Sequence, residues 1–209
     1  MVSGATDAIG FVALGGAFTS VMTGNMVLFG LGLAGHDGDQ IANTASAIVC
    51  FTVGAVVGAR LARSAKPDDP PWPRPVTAAL VTEFVLFAAY AVGYEASGYG
   101  RPGATMQPIL LGLTAIGLGL QSSAVLRFGQ SGLSTTYMTG TLTTLVARLS
   151  TGGKLRDALP SLRVLVGLIG GAVIGGVLVF YARPFAPVFQ LVLLGVVLAI
   201  ASGRHLRHP

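Results

Sequence analysis

Charge is scarce in this sequence. Asp, Glu, Lys and Arg make up 10% of the 209 residues, hydrophobic residues 52%, and mean hydropathy is +0.73. Soluble domains carry about 25% charged residues, so this balance excludes a water-soluble globule and implies an integral membrane protein. Cysteine is nearly absent too: Cys50 stands alone in an apolar run, so no intrachain disulfide can form and a redox role is disfavoured. His36, His205 and His208 lie outside the apolar runs at no metal-ligand spacing, so neither a metal nor a cofactor is expected. Trp72 is the single tryptophan, suited to anchoring at the membrane interface. Neither HExxH nor G-x-S-x-G occurs, and Gly152-Gly153-Lys154 lacks the first glycine of a phosphate-binding loop. Metal-assisted and serine hydrolysis and nucleotide chemistry are therefore disfavoured. No Lys or Arg precedes Arg60, so a cleaved signal peptide with a basic n-region is not expected.

What is plentiful is apolar length. Uncharged runs cover 8–35, 41–59, 102–126, 128–147, 164–182 and 184–203, and 76–94 joins them with one carboxylate, Glu83, inside. A helix needs about 20 apolar residues to cross about 30 Å of hydrocarbon, so these runs predict membrane helices. The 30 glycines fall largely within them. In water each would weaken its helix, whereas in lipid small residues let helix backbones approach closely. The net charge of +5 comes from basic residues just outside the runs rather than from one amphipathic face. It therefore reads as a signal of membrane orientation and not of nucleic-acid binding.

The sequence also repeats itself. Ser20-Val21-Met22-Thr23-Gly24-Asn25 returns as Thr136-Tyr137-Met138-Thr139-Gly140-Thr141, and Gly54-Ala55-Val56-Val57-Gly58-Ala59 as Gly171-Ala172-Val173-Ile174-Gly175-Gly176. Glu83-Phe84-Val85-Leu86 is echoed by Gln190-Leu191-Val192-Leu193. Three matches in the same order divide one membrane domain into halves at 1–97 and 98–209, joined through Gly93–Arg101. The 64–75 stretch, rich in proline, reads as an exposed loop.

Counting Lys and Arg tests the path through the membrane. If every run crosses, the loops on the two sides hold six and seven of them. If 134–149 dips in and returns, the division becomes eleven against two, with Arg101 and Arg183 the outside pair. Cytoplasmic loops carry the excess of basic residues, so the second arrangement is preferred. The repeat then makes 17–33 dip from the opposite face. Each half holds three crossings and one dipping segment, and the odd number inverts the second half. The expected architecture is all-α and polytopic, with about six to eight helical segments in two inverted repeats and paired broken or re-entrant helices. The N-terminus, the 60–75 and 148–163 loops and the C-terminus are cytoplasmic, with His36, Asp37 and Asp39 outside.

Asp7-Ala8-Ile9-Gly10-Phe11, Phe18 to Asn25, Gln121-Ser122-Ser123 and Thr135 to Thr141 together give a pattern that resembles the YoaK family of bacterial inner-membrane proteins. The resemblance covers nearly the whole chain and implies a multi-pass protein of the bacterial inner membrane, but no reaction. Family members carry a longer apolar stretch before the acid that Asp7 matches. Here six residues precede Asp7, whereas Met106–Leu120 precedes its expected equivalent, Gln121, so the expectation is either a misassigned start site or a short first helix.

Irregular backbone at membrane depth survives only where protein or water covers it. Thr23, Gly24 and Asn25 with Thr139, Gly140 and Thr141 are therefore the candidate lining of a solute path, joined by Gln121. Their plain alternative is tight helix packing. Asp7 and Glu83 are the candidate coupling carboxylates, because an intramembrane acid is expensive. The alternative for Asp7 is an exposed interfacial acid, and for Glu83 a buried pair or hydrogen bond within the bundle. Arg127 is read as snorkelling to the interface. Gly54/Gly58 and Gly171/Gly175 are read as packing within one subunit, with a homodimer seam as the alternative. These features point to a transporter or channel for a small polar solute or ion, with the lipid bilayer as the other partner. The rival readings are a non-transporting subunit or scaffold, and an enzyme with a lateral cleft beside Glu83.

Overall fold

The structure is a computed structural model that describes residues 1–63, 74–98, 102–126, 138–152 and 155–205, with side chains at 62–63, 74–75, 125–126, 155, 157 and 201–205 left undescribed. The 64–73 loop with Trp72, Arg127, the approach 128–137 to the second Met-Thr-Gly segment, Lys154 and His208 lie outside the described residues. Among those described there are eight α-helices and no strand: α1 Val2–Ala13, α2 Met22–Gly35, α3 Gly38–Arg63, α4 Arg74–Ala96, α5 Met106–Leu126, α6 Met138–Ser150, α7 Leu155–Tyr181 and α8 Ala186–His205. A 3-10 turn, Arg183–Phe185, links the last two.

Among the described residues four helices are long and apolar enough to cross a membrane, over Gly38–Leu61, Val76–Ala96, Ala158–Tyr181 and Arg183–Ile200. Their outer surfaces are apolar: α7 exposes Val166, Ile169, Val173, Val177 and Phe180 at three- and four-residue spacing, and α8 exposes Val188, Val192, Val196 and Ile200. Such stripes are tolerable only against lipid. The interior instead holds Asp7, Asn25, Asn43, Glu83 and Gln190, all buried.

The run 8–35 is not one helix. α1 stops at Ala13, the chain runs irregularly through Leu14–Val21, and α2 restarts at Met22. Gly15 and Gly16, with φ of +88° and +77°, take backbone conformations that glycine adopts without penalty. α2 stops where His36 turns left-handed and the Asp37 amide bonds back to the Gly32 carbonyl at 2.9 Å. Asp37 then accepts from the Gln40 N–H at 3.0 Å to start α3. The tight turn folds α2 back onto α3. With 14 and 13 residues, α2 and α6 are each about 20 Å long, too short to cross alone. The run 164–182 begins earlier than the sequence suggested, at Leu155, with Pro160 held inside the helix.

Glycine sets the closest helix contacts. A Cβ on Gly54 would strike the Ile116 carbonyl and one on Gly58 would sit 2.5 Å from the Leu120 carbonyl. The same crossing brings Gly112 to Cys50 and pairs Ser46 with the Pro108 carbonyl at 2.6 Å. Positions 46, 50, 54 and 58 thus meet 108, 112, 116 and 120, a constant offset that makes α3 and α5 parallel. α7 meets α1 in the same way, with Gly171 against the Met1 carbonyl and Gly175 against Ala5. Gly119 presses on Phe51 and Ala55, and Gly4 on Leu168 and Ala172. Both GxxxG pairs are therefore internal crossings.

Candidate functional site

The break between α1 and α2 is irregular backbone inside the bundle, and three side chains satisfy it. Asp7, on α1, accepts through Oδ1 from the Thr19 N–H at 2.8 Å, the Thr19 hydroxyl at 3.0 Å and the Ser20 N–H at 2.7 Å. The Ser20 hydroxyl donates to Oδ2 at 2.5 Å. Asn25, at the start of α2, closes a ring with Phe18, accepting from its N–H at 2.8 Å and donating to its carbonyl at 2.6 Å. Asn43 Nδ2 donates to the Gly15 carbonyl and to Gln107 Oε1, both at 3.2 Å. Asp7 is buried, so the expectation of an exposed interfacial acid is corrected: its four donors sit on a loop folded back over it.

The first Met-Thr-Gly segment belongs to the same clasp. A Cβ on Gly24 would lie 3.2 Å from the Phe18 ring, which itself stacks on Phe11 at 4.8 Å. Asn25 is fully buried, whereas Thr23 faces outward. In the second segment Thr139 and Gly140 are exposed and Thr141 is buried. As the lining of a single solute path, the two segments would have to meet. Among the described residues they do not: α2 packs on α3, α6 packs on α7, and α2 and α6 have no substantial contact. The physical reason is the short hairpin, which ties α2 to the helix that follows it.

A second set of polar groups, most of them buried, lies on α1, α4, α5 and α8. Glu83 is wholly buried and neither carboxylate oxygen has a hydrogen-bond partner. Its Cγ lies 3.3 Å from where a Cβ on Gly117 would stand, so the bare glycine makes room for the acid. α4 and α5 run antiparallel, with Gly93 against Leu110 and Phe87 against Gly117, and this register carries Gln121 to the level of Glu83. Gln190 of α8 is also wholly buried and donates from Nε2 to the Thr6 hydroxyl of α1 at 3.0 Å, while Thr6 donates to the Val2 carbonyl at 2.8 Å. Gln190 Oε1, Ser3 Oγ, Tyr90 Oη and Tyr94 Oη are buried without partners.

Glu83 and Gln121 thus stand at about one level of the α4/α5 pair, while Asp7 and Asn25 are tied up in the loop clasp. Gln190, Thr6, Ser3 and Tyr90 were missed. Gln190 was legible as the repeat mate of Glu83, whereas Ser3, Thr6 and Tyr90 carry no signal in a sequence rich in such residues. No group of three or more His, Cys, Asp or Glu that could hold a metal occurs among the described residues.

The family model described as "Protein of unknown function (DUF1275)" matches residues 1–201. A transmembrane protein of Bacillus subtilis (strain 168), YoaK of the UPF0700 group, is 32% identical over 151 residues, which is 72% of this chain and 64% of that relative's length. No solved structure matches the chain.

Proposed function

The chain belongs to the DUF1275 family, as a multi-pass helical membrane protein, and from that premise we propose that it passes a small polar solute or ion across a bacterial inner membrane. The observation that carries this reading is the concentration of buried polar atoms without partners on α1, α4 and α8: Ser3, Glu83, Tyr90, Tyr94 and Gln190. Each unmet group at this depth costs about 1–3 kcal/mol, and a bundle that needed only stability would fill these positions with Leu or Ala. A passing solute with hydroxyl, amide or ionic groups meets them.

The path in this reading runs through the interior beside Glu83, Gln121, Gln190 and Thr6. The Met-Thr-Gly segments stand off this path: Asn25 and Asp7 hold one broken helix in shape, and Thr139, Gly140 and Thr141 begin α6, which packs on α7. The exchange of partners, with α1 on α7 and α5 on α3, supports two related halves at 1–97 and 98–209. The enzyme reading needs an opening to lipid beside Glu83, and full enclosure of that residue speaks against it.

Proteoliposomes exposed to gradients of glycerol, urea and ammonium, followed by light scattering, test the proposal. Re-swelling faster than in protein-free vesicles for at least one solute is expected, slowed tenfold or more by Gln190→Leu. Vesicles that stay as tight as protein-free ones for all three, and for an extended panel of amino acids and monovalent ions, would favour the scaffold reading.

A further inference from the structure

We propose that Glu83 is a membrane-embedded proton carrier, taking a proton from water at one face of the bundle, holding it as a carboxylic acid inside and releasing it to water at the other. The inference rests on the passage reading above and names the charge that moves with the solute. An O–H bond forms on one carboxylate oxygen as water or hydronium gives up the proton, and the same bond breaks on release. No electrons are transferred.

Three observations carry it. The first is enclosure: Glu83 is 0% exposed, with both oxygens free of hydrogen-bond partners. A carboxylate in that position is costly unless something neutralises it. The second is the absence of a counter-charge on the helices packed against α4. Among the described side chains α5 and α8 carry no ionisable group, and α3 carries Cys50, half-buried against Gly112, with Asp39 and Arg60 exposed at its ends. On α4 itself, Tyr90 and Tyr94 lie two and three turns away, and Glu95 is about 18 Å along the axis. The third is the absence of a ligand cage. A divalent cation wants six or more oxygens, and no group of three or more His, Cys, Asp or Glu that could hold a metal occurs among the described residues. A proton needs no coordination shell.

Asp7 is the internal contrast. It is buried too, but two N–H and two O–H donors hydrogen-bond its carboxylate in place. Of the two buried acids, one is fixed and one is free. Gln190 at the matching position of α8 makes the carrier single: one half of the repeat holds an acid, the other its amide.

Infrared difference spectroscopy on proteoliposome films switched between acid and alkaline buffer reads the proton directly. A protonated carboxyl C=O band that rises in acid, falls in alkali and is lost in Glu83→Gln is the expected result. Glu83→Gln is nearly isosteric, so an unchanged melting temperature verifies that the band and not the fold was removed. The apolar reagent dicyclohexylcarbodiimide, which adds to protonated carboxyls in apolar sites, should label Glu83 and leave Asp7 unmodified. A band that never titrates, survives in Glu83→Gln, or vanishes at fixed pH on adding sodium or potassium overturns the proposal. If the band titrates while every solute flux is absent, the passage reading falls and the proton site stands. Flux without the band has the opposite meaning.

Discussion

Asp7 illustrates how one residue can hold irregular backbone at membrane depth. Its two oxygens gather two backbone N–H groups and two hydroxyls from Thr19 and Ser20, which would otherwise be buried and unmet. Hydrogen bonds to a charged group contribute about 1.5–3 kcal/mol each way, and orphaned donors cost about as much. Asp7→Ala should therefore lower the unfolding free energy in detergent by about 3 kcal/mol, with Asp7→Asn in between because an amide accepts fewer bonds. Denaturant titration checks both. Equal stability of Asp7→Ala and the parent would mean that the loop finds other partners. The sequence marked Asp7 as a costly acid but left its role open, since the donors lie 12 and 13 residues ahead and the pairing depends on how the chain turns through Gly15 and Gly16.

At the scale of elements, glycine position decides which helices can touch. Gly119 packs its bare Cα against the Phe51 carbonyl, while Gly30 on α2 has nothing within 4 Å of the place a Cβ would take. Gly119→Ala must push α3 and α5 apart, and overpacking of this kind costs about 1–3 kcal/mol. Gly30→Ala adds a methyl to open space and should be neutral or slightly stabilising. Paired melting curves in detergent separate the two, and a Gly119→Ala protein as stable as Gly30→Ala would show that the crossing is loose. The spacing of Gly54/Gly58 and Gly171/Gly175 already announced close contacts, but a GxxxG pair does not name its partner. The parallel α3/α5 and α1/α7 crossings supply it.

For the whole molecule, the exchange of partners between halves and the shortness of α2 and α6 bear on how the chain threads the bilayer. If α6 dips and returns, Asp37 and Thr151 stand on opposite sides of the membrane. Single cysteines at these two positions, placed in a Cys50→Ser background, should differ: a membrane-impermeant maleimide labels Asp37→Cys in intact cells and Thr151→Cys only after permeabilisation. Labelling of both in intact cells would mean that α6 crosses fully and would remove the inverted arrangement.

The amino-acid sequence by itself determined that the chain lives in lipid and that it is helical, because composition and run length can be read without coordinates. It also singled out Glu83, since one acid in an uncharged run is visible without coordinates. Tertiary structure alone decided that Asp7 is bound and Glu83 is not, and that α2 and α6 stand beside α3 and α7 instead of facing each other. Whether a buried polar atom finds a partner depends on which distant segments meet it. That is fixed by glycine crossings and by the two-residue turn at His36 and Asp37, whose geometry a linear pattern does not contain.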